Sequence, residues 1–259
     1  MSNYKDWIDA IEIKVDYFSA FMKAWIAFNA WYNSEITGRT DKERIDFIAY
    51  RTNRFKNYVI NLLNADNSEA KRFRDNIANL HEALLNAPIT TQEYVGMQQP
   101  ISFSEVAIKN TNVCSKKDYY SYRYECIRAH GKITTTVSTK ATGRVAFSFE
   151  QDEYDVDMLK SQSTFQALTQ TQQGKCLECY NELKPYITES VLSTNPDQSM
   201  MMGAYGFVDD IDSISKAIVI ILYMLRCCLT HGDITPDEAT NKVYQYAYEV
   251  LKTPLKKLK

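Results

Sequence analysis

The stretch AIVIILYMLRCCLTHG, residues 217–232, largely determines how this chain folds. Nine consecutive apolar residues, Ala217 to Leu225, run directly into Arg226, and His231 and Gly232 follow five and six residues later. The apolar run predicts a helix buried in a core, and Gly232 is placed to end it because glycine accepts the left-handed conformation found at helix C-termini. An arginine at the edge of such a core is costly unless it is paired or has a function. Arg226 and His231 are therefore the first candidates for a site.

Composition places the chain among ordinary globular proteins. It has 259 residues, 45% of them hydrophobic and 24% charged, with a formal net charge of −2. These values exclude the disordered and fibrous classes and fit one large domain or two small ones. The net charge does not decide for or against nucleic acid, because a local patch can be basic on a neutral protein. The first residues lack an apolar signal core, and the longest apolar run is far short of the roughly 20 residues of a membrane span. We therefore expect a soluble, cytoplasmic protein.

Helical spacing dominates the first third of the chain. It predicts helices over residues 6–34, 40–64 and 68–85, the second opened by a capping box of Thr40 and Glu43. The first helix carries a broad apolar stripe made of Phe18, Phe21, Trp25, Phe28 and Tyr32, widened by Met22, Ile26 and Ala30. Between Arg39 and Arg74, nine Lys/Arg oppose five Asp/Glu, a surplus of four positive charges. A solvated helix face is the first explanation of that surplus, and an RNA-facing surface is the second.

The middle of the chain has β character and the end is helical again. Residues 133–137 and 145–149 are rich in β-formers and flank a turn at Gly143, which predicts an antiparallel hairpin. Helical pattern resumes after Asp155, and residues 195–206 are predicted as a loop. Asp209 and Asp210 are candidate caps for the helix that ends at His231, and Thr235 is the predicted cap of the last helix, which ends in a basic tail at 256–259.

These elements predict a mainly α fold, a helical bundle with a small β-hairpin or sheet insertion in the middle of the chain. The predicted division is 1–87 for the N-terminal helices, 88–156 for the β-rich insertion and 157–259 for the C-terminal helices with Arg226 and His231. Six cysteines do not suggest a disulfide scaffold in a chain of this size. Cys176 and Cys179 have the spacing of a redox or zinc pair, but no second pair exists, so buried reduced thiols are preferred over a thiol-redox or metal site.

Arg226 and His231 suit the cleavage of RNA. Five residues of helix cover about 7.5 Å of axis and 500° of rotation, so the two side chains are at one helix end but not on one face. Both can reach a shared pocket if that pocket lies at the helix terminus. The 2′-hydroxyl of RNA is its own nucleophile, His231 is a general acid–base near neutral pH, and Arg226 holds the phosphate bidentately. One copy supplies a single acid–base and a single cation. Two copies meeting at a two-fold axis supply a complete site.

An Arg-x-x-x-x-His-Gly sequence that closes the penultimate helix resembles the HEPN superfamily, whose signature is Arg, four to six residues, then His. The first helix, from Phe21 through Trp25 and Asn29 to Tyr32, also resembles the first helix of prokaryotic HEPN proteins. The resemblance implies a HEPN-like helical bundle that forms a homodimer, with Arg226 and His231 as catalytic residues facing their copies. It implies a metal-independent endoribonuclease without a cofactor, acting in phage defence or a toxin–antitoxin system on an RNA substrate. An antitoxin or sensor protein is a further implied partner.

Several alternatives stay open. The residue after the arginine is commonly Asn, Asp or His in active HEPN proteins, and Cys227 here favours a non-catalytic HEPN module that binds nucleotide, RNA or a partner protein. A purely structural interpretation makes His231 a helix cap and Arg226 half of a buried ion pair. Arg123, six residues, then His130 also fits the signature, but that stretch is predicted to be a β-strand, the wrong context for the motif.

Overall fold

The computed structural model describes residues 16–91, 99–195, 197 and 199–259. The fold is 53% helical and 21% strand, with several antiparallel sheets, and is an α+β fold. The prediction of a mainly α helical bundle with one small β insertion was therefore wrong. The physical reason is that several strands are short or polar, such as Cys114–Tyr119, and do not show the alternation that marks a half-buried strand.

The elements are numbered here in chain order. The helices are α1 (Tyr17–Glu35), α2 (Asp41–Tyr50), α3 (Arg54–Asn64), α4 (Ser68–Asn86), α5 (Val156–Ser161), α6 (Ser163–Gln166), α7 (Gln170–Asn181), α8 (Ile211–His231) and α9 (Glu238–Leu255), followed by a 3-10 turn at Lys256–Leu258. The strands are β1 (Thr90–Thr91), β2 (Gln99–Pro100), β3 (Val106–Lys109), β4 (Cys114–Tyr119), β5 (Tyr122–Ala129), β6 (Lys132–Thr139), β7 (Val145–Gln151), β8 (Tyr186–Glu189), β9 (Ser199–Met202) and β10 (Tyr205–Val208).

The chain divides into two compact units. Lys109–Ile187 forms one unit, and the residues up to Ile108 and from Thr188 onward form the other. The chain passes from one unit to the other within β3 and returns within β8. The sequence-based division placed the β-rich segment at 88–156 instead. The compact β unit extends to Ile187 because the core of its sheet includes Leu183 and buried residues of α5, α6 and α7.

Helix α8 forms the core of the larger unit. Its residues from Ala217 to Leu225 are all buried, as the apolar run predicted. Asp210 caps its first turn by accepting a hydrogen bond from the Ser213 amide at 3.1 Å. Gly232 ends it at φ +72°, and the next amide, of residue 233, donates to the carbonyl of residue 228 at 3.0 Å. Both predicted helix ends are therefore confirmed, and the C-terminal end fixes the backbone on which Arg226 and His231 lie.

Helix α1 packs its aromatic stripe into the same core. Phe18, Phe21, Trp25, Phe28 and Tyr32 are all buried, as predicted. Ile26, which the sequence placed at the edge of that stripe, is instead 62% exposed. The predicted start of this helix before residue 16 lies outside the described residues. One face of α1 therefore carries an apolar side chain that the rest of the described chain leaves uncovered.

The smaller unit is built on a four-stranded antiparallel sheet in the order β4-β5-β6-β7. The predicted hairpin is its β6–β7 pair, in which Val137 faces Phe147. One face of the sheet contributes Tyr124, Cys126 and Val137 to an apolar cluster that also contains Cys176 and Cys179 of α7. The predicted β-rich segment thus contains a sheet with its own core.

Three predicted elements differ from the structure. The helix predicted over 40–64 is two helices, because the Asn53 side chain bonds the Ile48 and Arg51 carbonyls and caps α3 through the Lys56 amide. The loop predicted over 195–206 contains the β9 strand and the start of β10. The last helix is capped by Asp237 at the Thr240 amide, two residues after the predicted Thr235.

By length and composition, α8 is a candidate membrane span among the described residues. However, 72% of the 18-residue apolar stretch of this helix is buried within the protein itself. Such burial is also what the central core helix of a globular unit shows.

A buried lysine connects α3 to the start of α8. Lys56 is 5% exposed, donates to the Ala49 carbonyl at 2.9 Å and pairs with Asp212 at 2.6 Å. We expect Asp212→Ala to lower the free energy of unfolding by about 2 kcal/mol, because it leaves a buried cation without its anion. Lys56→Met should cost less, and the double variant should cost no more than Lys56→Met alone. Urea unfolding of the three variants tests this; equal losses for Asp212→Ala and Lys56→Met that add in the double variant would contradict it.

A second buried ionisable group predicts a pH dependence of stability. His81 is 2% exposed, packs edge-on against Tyr205 at 4.6 Å, and has no hydrogen-bond partner at Nδ1 among the described residues. Burial lowers its pKa below the ordinary value, although Glu82 acts in the opposite direction. The unfolded chain therefore takes up a proton below about pH 6.5 that the folded chain resists, so stability is lost as the pH falls from there.

We expect His81→Gln to remove part of that acid sensitivity between pH 7 and pH 5, by up to ~1.4 kcal/mol per pH unit. The measurement is urea unfolding across that range. His130→Gln, which changes an exposed turn histidine, is the matched control. An unchanged slope for His81→Gln would mean that other groups carry the acid sensitivity.

Candidate functional site

Arg226 and His231 both lie on the last two turns of α8. The Arg226 side chain is 26% exposed, whereas His231 is exposed in the final turn. The two residues are about 140° apart around the helix axis, since five residues rotate by about 500°. Tyr244 of α9 holds this end of α8 by donating its hydroxyl to the Leu225 carbonyl at 2.8 Å. The structure thus places the two predicted residues on one helix end, with different exposures.

Asp41, at the first position of α2, is the acidic neighbour of Arg226. Its Oδ2 lies 3.6 Å from Arg226 Nη2, close enough for an ion pair but too far for a hydrogen bond. Both Asp41 Oδ2 and Arg226 Nε are buried atoms without a hydrogen-bond partner among the described residues. Arg226 Nη1 lies 3.9 Å from the Cys227 sulfur. Neither contact is as short as the roughly 2.8 Å of a charge-assisted hydrogen bond, so the guanidinium is oriented but not tightly engaged.

A polar network fixes Asp41 from the other side. Tyr32 donates its hydroxyl to Asp41 Oδ1 at 2.5 Å, and Asn29 donates to the same oxygen at 3.3 Å. Asn33 in turn donates to Asn29 Oδ1 at 2.8 Å. Two residues of α1 therefore hold the carboxylate that lies against Arg226, and Asn33 supports one of them. We call Asn29, Tyr32, Asp41 and Arg226 the Arg226 cluster.

The electrostatics keep the Arg226 cluster charged. Burial acts to lower the pKa of Arg226, but the Cys227 sulfur and the Asp41 carboxylate outweigh it and hold the pKa above its ordinary value. Burial, together with the hydrogen bond to Asp41, raises the pKa of Tyr32 well above its ordinary value. Tyr32 is therefore a neutral donor and Arg226 a permanent cation. Within the cluster, Arg226 is the positive group that could hold a phosphate or another anion, and Asp41 is its partial counter-charge.

Cys227, the residue after the arginine, is 3% exposed and lies in the core. It contacts Arg226 through its sulfur but does not reach the exposed side of the helix end. A thiol is also a poor hydrogen-bonding group. The residue after Arg226 thus offers no strong hydrogen-bonding group at the exposed side of the helix end.

The second Arg–His match lies in a different setting. Arg123 is on β5 and pairs with Asp118 at 2.9 Å, and His130 is in the β5–β6 turn at φ +53°. The predicted β context of this match is confirmed. These two residues are useful mainly as matched controls for Arg226 and His231.

Cys176 and Cys179 lie on helix α7, which packs into the core of the smaller unit. Both thiols are buried on α7, and burial raises the pKa of each. Burial also raises the pKa of the neighbouring Cys126 to about 12. Thiols in this setting stay protonated at neutral pH and are poor nucleophiles or metal ligands. No group of three or more potential ligands gathers within the described residues, and the predicted burial of these thiols is confirmed.

Sequence reasoning did not identify Asp41 or Tyr32 as site residues. Asn29, named above only for the resemblance of the first helix, bonds the side chains of Tyr32 and Asp41. Asp41 resembled an ordinary first-turn acid, and only the packing of α2 beside α8 brings it to Arg226. The basic surplus between Arg39 and Arg74 is largely used internally, for example by Lys56 with Asp212 and by Arg74 with three backbone carbonyls.

No protein-family model matches the chain, and no curated protein or solved structure matches it significantly.

Proposed function

We propose that the chain is a metal-independent endoribonuclease of the HEPN type, in which Arg226 and His231 form the catalytic pair. One observation carries the proposal: Arg226 and the exposed His231 lie on the same helix end. The Arg226 guanidinium is a permanent cation, and its contacts with Asp41 and Cys227 are long, at 3.6 Å and 3.9 Å. These two kinds of group suit the cleavage of RNA, because the substrate's own 2′-hydroxyl is the nucleophile. The sequence resemblance supports the same activity.

In the proposed reaction, the 2′-oxygen attacks the adjacent phosphorus and loses its proton to a histidine acting as base. The bond from phosphorus to the 5′-oxygen breaks, and that oxygen takes a proton from an imidazolium acting as acid. The products are a 2′,3′-cyclic phosphate and a 5′-hydroxyl. Arg226 holds the phosphate and stabilises the charge that develops on its oxygens. Asp41 acts as a positioning residue through its ion pair with Arg226.

We further propose that the active form is a homodimer. The reaction uses a base and an acid, and each chain offers one histidine at this helix end. A symmetric pair would supply both. The face of α1 that carries Asn29 and Asn33 also carries Ile26, which is three residues from Asn29 and 62% exposed. An exposed apolar residue beside the Arg226 cluster supports contact with a second copy there.

The biological setting that fits this activity is phage defence or a toxin–antitoxin system in the cytoplasm, with an antitoxin or sensor protein as the regulating partner. This setting comes from the HEPN resemblance alone. An uncontrolled ribonuclease would damage its own cell, so such a partner is an expected companion of the activity.

The second candidate function is a non-catalytic module that binds nucleotide, RNA or a partner protein. Two observations favour it: Cys227 is turned into the core, and Asp41 already partly compensates the charge of Arg226. Such a module would bind without turnover. The two candidates therefore make opposite predictions for RNA incubated with catalytic amounts of protein.

Incubation of purified protein with mixed cellular RNA in EDTA tests the proposal. The endoribonuclease is expected to degrade the RNA at substoichiometric concentration, and the His231→Ala protein is not. Intact RNA with both proteins, together with RNA or nucleotide binding, would favour the non-catalytic module.

A further inference from the structure

A second surface with positive charge lies in the larger unit, away from the Arg226 cluster. It is an open groove of about 970 Å³ between α1 and the C-terminal end of α9 with its 3-10 turn, a size at the upper end of the roughly 300–1,000 Å³ found for ligand pockets. Ala20, Ala24 and Ala27 follow each other along α1 at helical spacing and form one wall, and Leu255 belongs to the other. We call it the lysine groove.

The edges of the groove are cationic. Lys23, Lys256 and Lys259 line it and are exposed, and none of them has an ion-pair partner within the described ranges. Lys252 also lines it, but its ammonium group pairs with Glu249. Among the described residues, Asp16 is the one acid of the lining, and it accepts hydrogen bonds from Ser19 at the start of α1. Charges of one sign in a concave surface attract a ligand of the opposite sign.

The basic turn is held in place by neighbouring elements. Lys257 pairs with Glu69 at 2.8 Å, and Arg54 donates to the Leu258 carbonyl at 3.2 Å. Arg54 itself pairs with Glu35 at the end of α1. These contacts fix the lysines at 256 and 259 beside α1, although more than 200 residues separate them from Lys23 in the sequence.

The lining also contains two aromatic side chains. Trp31 lies on α1, and Tyr248 lies on α9 beneath the Lys252 ammonium, 4.5 Å from it to the ring centre. An apolar floor with aromatic rings and a cationic rim suits a ligand that has both flat apolar faces and anionic groups. Single-stranded nucleic acid has both, because its bases are unpaired and available for stacking. A duplex hides its bases and would make no use of the apolar floor.

We propose that the lysine groove binds single-stranded RNA as an exosite, separate from the residues that cut it. The choice of RNA rather than another polyanion rests on the proposed function. Ala27 and Asn29 are two positions apart on α1 and therefore point in nearly opposite directions. The groove thus lies across α1 from the Arg226 cluster, so its lysines bind substrate without taking part in the reaction.

The test measures binding in the His231→Ala background, where the RNA stays intact. A labelled single-stranded oligonucleotide is titrated by fluorescence anisotropy against this protein and its Lys23→Glu/Lys256→Glu derivative. We expect the affinity to fall by at least about tenfold. We also expect the slope of log affinity against log salt concentration to weaken by about 0.7 for each phosphate that is no longer neutralised, about 1.4 for two phosphates.

The matched control is Lys160→Glu/Lys184→Glu, which changes the net charge by the same amount at two exposed lysines of the smaller unit. Thermal unfolding of both double variants verifies that each is folded. Equal affinities of the groove and control variants would overturn the proposal, as would equal binding of a duplex of the same sequence.

The outcomes for the groove and for the ribonuclease are distinguishable. If wild-type protein leaves RNA intact but the groove variant alone loses binding, the exosite stands and the endoribonuclease fails. If wild-type protein cuts RNA, and the groove and control variants bind RNA equally in the His231→Ala background, the exosite fails and the endoribonuclease stands.

Discussion

His231→Ala is expected to lower the rate of RNA cleavage by about 10²- to 10⁴-fold, the usual contribution of a positioned acid–base group. The physical reason is that no other histidine lies on the helix end that carries Arg226. His231 is exposed at the C-terminal turn, so alanine there should leave the core and the oligomeric state unchanged. Initial rates on a labelled RNA, together with gel filtration, check both expectations.

His130→Ala is the control for that prediction. It removes an exposed histidine followed by a glycine, as at His231, but in the β5–β6 turn of the other unit. Its cleavage rate should equal that of the wild type. A similar loss of activity in both variants, or an unchanged rate in His231→Ala, would remove His231 from the mechanism.

Arg226→Ala is expected to lower cleavage by about 10²- to 10³-fold, the typical loss when one group that stabilises transition-state charge is removed. Arg226→Lys should recover only part of the rate, because lysine keeps the charge but not the planar fork that binds a phosphate bidentately. The measurement is again the initial rate at saturating RNA, with urea unfolding of each variant in parallel.

Asp41→Asn separates a catalytic role of Arg226 from a structural one. This variant removes the ion pair but keeps the guanidinium and an oxygen that can accept the hydrogen bonds from Tyr32 and Asn29. If Arg226 binds the phosphate, Asp41→Asn should lower the cleavage rate much less than Arg226→Ala does. If Arg226 serves only as half of an ion pair, the two variants should lose stability and activity together.

The sequence was most informative where a single element carried the whole signal. The continuous apolar run before Arg226, followed by Gly232, predicted a buried helix and its end, and the structure has both. The stripe from Phe18 to Tyr32 and the β6–β7 hairpin were also predictable, because each repeats its pattern over several residues.

The rest depended on contacts between distant elements. The α+β character was missed because Ser199–Met202 and Cys114–Tyr119 have no strong alternating pattern, and their neighbours in the sheet make them strands. Asp41 became a candidate only when α2 packed beside α8, since nothing in its own sequence distinguishes it from an ordinary first-turn acid. Lys23 and Lys256 form one surface because α9 returns along α1.

The chemical identity of the RNA ends made by the purified protein in EDTA distinguishes the proposed ribonuclease from nucleases that attack the phosphate with water or a protein nucleophile. We expect 2′,3′-cyclic phosphate and 5′-hydroxyl ends from the wild type, no such ends from His231→Ala, and no cut where the 2′-hydroxyl is replaced by hydrogen. Products ending in a 3′-hydroxyl, or cutting at a 2′-deoxy position, would contradict the proposal, because the 2′-oxygen would then not be the nucleophile.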